Sequence, residues 1–104
     1  MRTRSSKRAK ALSISAAVKK AIYNRDLGAC VWCGSPGLPE AHYIPRSRGG
    51  LGVEENILTL CRRCHDIYDH GTRAERQCMG DEFKRYLSSI YDGWDEDNLI
   101  YRRD

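Results

Sequence analysis

Four cysteines dominate the chemistry open to this chain: Cys30-x-x-Cys33 and Cys61-x-x-Cys64, two pairs of equal spacing with 27 residues between them. A two-residue gap lets both thiolates of a pair reach one tetrahedral ion at ~2.3 Å while backbone amides turn toward the sulfurs, so two pairs complete a four-sulfur zinc site. Redox dithiols are the other use of such pairs, but two of them in one short segment, with a glycine after the first, fit zinc better. Four thiolates leave no open coordination position, so the ion is structural and its binding energy is folding energy. The fifth cysteine, Cys78, has no pairing cysteine or activating base near it in sequence and reads as a small buried or idle residue.

A closed site does not explain the groups around it. His42 and Asn56 lie between the cysteine pairs, and His65 and Asp69 follow at once. Four residues apart on a helix, His65 and Asp69 share a face and suit one divalent cation, although a helical His and Asp are often merely solvated. After His42 comes "PRSRGGLG", a proline and glycine loop carrying Arg46 and Arg48, two bases suited to phosphate.

The charge distribution points the same way. The net charge of +4 conceals eight bases and no acid in residues 1 to 25, against ten bases and fourteen acids in the rest. Such an excess suits a polyanion partner, because each base that neutralises a phosphate releases counterions. Lys7, Arg8, Lys10, Lys19 and Lys20 are the candidates for gripping a nucleic-acid backbone. A solvated tail that aids solubility is the plainer alternative.

No apolar run approaches the ~18 residues a membrane span needs. The basic start lacks the apolar segment and cleavage site of a signal peptide, which predicts an intracellular, cytoplasmic protein. At 104 residues the chain is one domain at most and in need of a staple.

The elements that would position these groups can be read in order. Residues 1–12 are polar, basic and aperiodic, which predicts a disordered arm. From Ser13, the spacing of Ile14, Val18, Ala21 and Ile22 predicts an amphipathic helix capped by Ser13 or Ser15 and ended by Gly28. "EAHYI" and "NILTL" predict two antiparallel strands, hence a hairpin whose open end the cysteine pairs clamp. "HDIYDHG" predicts about two helical turns. Residues 81–92 predict a second amphipathic helix with Phe83, Leu87, Ile90 and Tyr91 on its apolar stripe. Trp94 and Leu99 are expected to pack on the body, and Tyr43 to be a core aromatic.

The segments "CVWC", "EAHYIPRSRGG" and "EENILTLCRRCH" together resemble the HNH endonuclease family, in the zinc-stapled form common among phage-encoded and other mobile nucleases. Several fixed offsets agree: Pro45 three after His42, the Gly49–Gly50 pair, Glu55–Asn56 before the second strand, and His65 directly after Cys64. The resemblance spans Cys30 to Asp69 and implies a small α+β fold, a ββα-metal (His-Me) finger with flanking helices. Residues 13–104 would then be a single nuclease domain with its motif core at 30–70. The implied activity is metal-dependent hydrolysis of DNA phosphodiester bonds. His42 is similar to the general base, His65 and Asp69 to ligands of a catalytic Mg²⁺, Mn²⁺, Ni²⁺ or Zn²⁺, and Asn56 to the residue that holds the hairpin loop.

One departure is Ala41, where family members usually carry a further ligand. Either Glu40 reaches the ion, or water completes the shell, or His42 is itself a ligand and another group activates water. No helix resembles a base-reading element, so low sequence preference is expected. Cutting both strands would call for a homodimer or a partner, and the phage resemblance suggests packaging or recombination proteins. The competing reading is a non-catalytic zinc module that binds nucleic acid, with His42 and His65 structural and Asp69 solvated. A protein-interaction finger is weaker, since it leaves the arginine loop and the arm without purpose.

Overall fold

The hairpin expected around His42 forms, with its first strand shifted two residues toward the N-terminus. In the computed structural model, which describes residues 6–102, β1 (Leu38–His42) pairs antiparallel with β2 (Ile57–Leu60). Leu38 faces Leu60, while Ala41 faces Leu58 and His42 faces Ile57, so three steps on β1 oppose two on β2. The extra residue is a bulge next to Pro39, which has no N–H to give a ladder. Tyr43 and Ile44, expected in the strand, lie beyond it because Asn56 takes over their pairing: the Tyr43 amide donates to the Asn56 carbonyl (2.7 Å) and the Ile44 amide to Asn56 Oδ1 (2.8 Å).

All four residues of β2 are buried, so the hairpin is covered on both faces. Leu58 and Leu60 join Ala41, Met79, Phe83 and Leu87 in one core under α3 (Arg62–His70) and α4 (Arg73–Ile90). On the other face α2 (Ala16–Arg25) packs across the hairpin, with Ile22 fully buried. Ser15 supplies the expected cap, accepting from the Val18 amide at 3.2 Å. Gly28, at φ +66°, returns its amide to the Tyr23 carbonyl and ends the helical run.

Two expectations are corrected. Residues 7–12 are not disordered: α1 (Lys7–Leu12) is a short helix capped by Ser6, and Leu12, the one strongly apolar residue of the arm, is buried. A single anchor leaves no period to detect, and the Arg, Lys and Ala around it are good helix formers. Residues 1–5, with Arg2 and Arg4, lie outside the described residues. The helix expected at 81–92 begins at Arg73 instead, because Thr72 and Glu75 make a reciprocal capping box that carries the helix through Gly80. Phe83 and Leu87 are buried as expected, but Ile90 is exposed and Tyr91 lies just past the helix end. Cys78 is exposed on α4 rather than buried.

The C-terminal segment packs as expected. Trp94 Nε1 donates to the Glu55 carbonyl at 2.8 Å, and the Trp94 ring lies 5.8 Å from that of Tyr43. Leu99 is buried, and residues 99–101 run along the glycine loop, with Leu51 N donating to Leu99 O (2.8 Å) and Tyr101 N to Gly49 O (2.7 Å). No helix among the described residues is long and apolar enough to cross a membrane.

A polar hub ties these layers together. Arg25 forms a two-pronged pair with Asp26 (2.7 and 2.9 Å) and also donates to the carbonyls of Glu54 and Ile57 and to the Tyr91 hydroxyl. Asp26 accepts in turn from the Thr59 amide and the Tyr86 hydroxyl. Burial alone would raise the Asp26 pKa, but the bonds from Arg25 and Tyr86 outweigh it and hold the carboxyl below its ordinary value. The Arg25 and Asp26 side chains are only 11% and 1% exposed, so solvent screens the pair little. Arg25 thus leaves the tally of bases free to meet a polyanion. Replacing Arg25 by Met strands a buried carboxylate and should cost about 3–5 kcal/mol in chemical denaturation; a loss below about 1 kcal/mol would show that the hub holds little.

Candidate functional site

The four paired cysteines converge. Their sulfurs all lie within 4.8 Å of one another, and Cys33 Sγ is 3.7 Å from Cys61 Sγ. Four sulfurs at ~2.3 Å from one tetrahedral centre would stand ~3.8 Å apart, so the donor set fits zinc. Each pair turns an amide to its first sulfur as expected: Cys33 N to Cys30 Sγ (3.5 Å) and Cys64 N to Cys61 Sγ (3.4 Å). Hydrogen bonds from Ser35, followed by those from Cys30 and Cys61, pull the exposed Cys33 thiol down to about 6, toward the thiolate that a metal requires. Cys61 is also the N-cap of α3, so the same cluster that closes the hairpin sets where that helix starts.

Beside the cluster, an open cleft of about 1270 Å³ gathers most of the groups singled out in the sequence. His42 enters it from the end of β1, and His65 and Asp69 from α3. His65 Nε2 lies 3.4 Å from Asp69 Oδ2, an i,i+4 pair on one helix face. Arg46 and Arg48 line the loop side, and Lys19 enters from α2.

His42 is held from outside this set. Its Nε2 is 2.9 Å from the main-chain oxygen of Leu12, at the end of α1. A carbonyl can only accept, so Nε2 carries the hydrogen and Nδ1 keeps a free lone pair. Burial lowers the imidazole pKa, with the Leu12 carbonyl opposing that shift and the charges of Arg46 and His65 adding to it. The ring is therefore neutral at pH 7 and able to accept a proton.

Asn56 is fully buried, and all its bonds go to the loop between the strands. Its Oδ1 accepts from Ile44 N, and its Nδ2 donates to Ile44 O (3.1 Å) and Leu51 O (2.8 Å). This closure needs Gly50, where a Cβ would stand 1.6 Å from the Ile44 oxygen. The glycines of "PRSRGGLG" thus serve close approach within the protein itself.

Not every expected residue joins the site. Among the described residues, the four cysteines alone place three or more ligand atoms within mutual reach of one ion, so His65 and Asp69 remain a pair. Glu40 lines the cleft, but its carboxylate pairs with Lys19 at 3.5 Å. Lys7, Lys10 and Lys20 are exposed outside the cleft lining, and Arg8 donates to the Arg46 carbonyl at 3.3 Å. Sequence reasoning missed Arg73 and Arg76, which reach the cleft from the first turns of α4. The Thr72–Glu75 capping box was the signal that could have found them. It also missed the Leu12 carbonyl, and a main-chain atom leaves no trace in a motif.

Residues 30–71 match the family model described as HNH endonuclease, from the first cysteine to the glycine that closes α3. No curated protein matches the chain. The matched span takes in both cysteine pairs, the hairpin with its loop, and the helix bearing His65 and Asp69; over residues 30–71 this chain is similar to the HNH endonuclease family.

Proposed function

We propose that this protein is an endonuclease that hydrolyses DNA phosphodiester bonds in the cleft between the 46–48 loop and α3, with little sequence preference and with zinc on its four cysteines. The observation that carries the reading is His42: its Nε2 is engaged at 2.9 Å, its pKa is lowered, and it faces the same cleft as the His65–Asp69 pair. Nothing else in the cleft combines a free lone pair near neutral pH with burial on a fixed strand.

In this mechanism His42 Nδ1 takes a proton from water as the water oxygen bonds to phosphorus. The P–O3′ bond breaks, and the leaving oxygen takes a proton from solvent, giving 5′-phosphate and 3′-hydroxyl ends. A divalent cation bound at His65 and Asp69 would offset the charge that grows on the non-bridging and leaving oxygens. His42 reads as base rather than third ligand because its Nε2 is already engaged and burial lowers its pKa. Asn56 holds both edges of the loop that follows His42 and so fixes where the base stands. Arg46, Arg48 and Lys19, joined by Arg73 and Arg76, lend the cleft the positive charge that positions a phosphate backbone.

Three outcomes are expected. Plasmid DNA should be nicked when Mg²⁺, Mn²⁺ or Ni²⁺ is added and not in EDTA, and His42→Ala should lower the rate about 10²–10⁴-fold while leaving zinc content unchanged. Binding without cleavage under every ion would instead favour a non-catalytic zinc module. Zinc release with a thiol reagent should yield one ion per chain, and Cys64→Ser should unfold the protein, because structural zinc contributes about 10–16 kcal/mol in small zinc-finger peptides; a native circular dichroism spectrum for the zinc-free variant would refute the staple. Arg46→Ala and Arg48→Ala should each flatten the dependence of log affinity on log salt by about one unit, and an unchanged slope would remove that arginine from the interface.

A further inference from the structure

Resting on that nuclease reading, we propose that α1 is a positioning element of the active site: the main-chain carbonyl of Leu12 fixes the tautomer and ring plane of His42. The last carbonyls of a helix have no intrahelical partner. Here the Leu12 carbonyl takes the His42 Nε2 hydrogen at 2.9 Å. Three contacts hold it there. The Leu12 side chain is 2% exposed, the Gly52 amide donates to Ala11 O at 2.9 Å, and Arg8 donates to the Arg46 carbonyl.

Gly52 makes the fit close. A Cβ at that position would stand 2.1 Å from the Ser13 oxygen and 2.9 Å from the Leu12 oxygen, so the chain passes α1 only because the side chain is absent. All of these contacts on the α1 side come from residues 8–13, before the span that matches the family model. A neutral imidazole with no fixed partner exchanges its hydrogen between the two nitrogens and turns about its side-chain bonds. An acceptor locked onto Nε2 removes both freedoms and keeps the lone pair on Nδ1 of a ring that lines the cleft. Displacement of a reacting group by ~1 Å can cost about 10²-fold in rate. On this account α1 acts on the chemical step, whereas a helix that only gripped DNA would act on affinity.

The test uses full-length, zinc-loaded protein carrying Gly52→Ala, which alters no charge. Two readouts are compared with the unsubstituted protein: kcat and KM for plasmid nicking with Mn²⁺, and the ¹⁵N spectrum of the His42 ring recorded without DNA or Mn²⁺. The unsubstituted protein should show a single Nε2–H tautomer. Gly52→Ala should show mixed tautomers and a kcat lower by about 10–100-fold, with KM within about twofold. A tautomer released with kcat unchanged, or a rise in KM alone, would overturn the proposal. If Gly52→Ala loses its zinc or its fold, Leu12→Ala, which loosens the same helix from inside, takes its place with the same expectations. Failure of the unsubstituted protein to nick DNA would sink the nuclease reading itself, and the ring spectrum would then decide by itself whether α1 holds His42.

Discussion

One cysteine pair precedes β1 and the other follows β2, and the four sulfurs meet within 4.8 Å. That convergence is the constraint from which the other positions follow. A two-stranded hairpin alone is marginal in water, and a chain of this length buries too little apolar surface to be generous elsewhere. Pinning the strand ends fixes the register, and with it the level at which His42 leaves β1. Because Cys61 also caps α3, the same point sets the phase of that helix and the direction in which His65 and Asp69 face. The cysteine cluster and the His65–Asp69 pair are thus close in sequence and mechanically continuous.

Two polar assemblies do what a larger apolar core would do in a longer chain. Asn56 closes the loop end of the hairpin with three side-chain bonds, and its own side chain is fully buried. Arg25 and Asp26 join α2 to β2 and to the end of α4. Buried polar groups of this kind are costly when half satisfied and restrictive when complete, which suits a site whose groups must hold one geometry.

How much of this could be read from the sequence depended on whether the determinants were local. The cysteine pairs, the i,i+4 spacing of His65 and Asp69, and the hairpin all rest on short-range spacing, and each was legible. The true start of α4 was also local, since Thr72 and Glu75 announce it, but Gly80 and the want of an apolar stripe before it hid the signal. Other features were not local at all. Arg25 looked like one more base of a charged arm until Asp26, Tyr86 and Tyr91 closed around it. Leu12 falls in a stretch that reads as polar and aperiodic because its partner, His42, lies thirty positions away. Ala41 was noticed as a missing ligand, and its burial in the core under α4 shows why: the position points inward, while Glu40 and His42 on either side face the cleft.

The two ends of the described chain meet at the same loop. Ala11 and Leu12 touch it from one side, and Leu99 and Tyr101 from the other. The stretch shared with the family is therefore not a portable unit that could be excised at its boundaries and grafted elsewhere. Cut out alone, it would carry His42, His65 and Asp69 but expose the Gly49 carbonyl and the Leu51 and Gly52 amides that the flanking segments satisfy. Recruiting such a motif into a new protein means supplying two supports, one ahead of it and one behind.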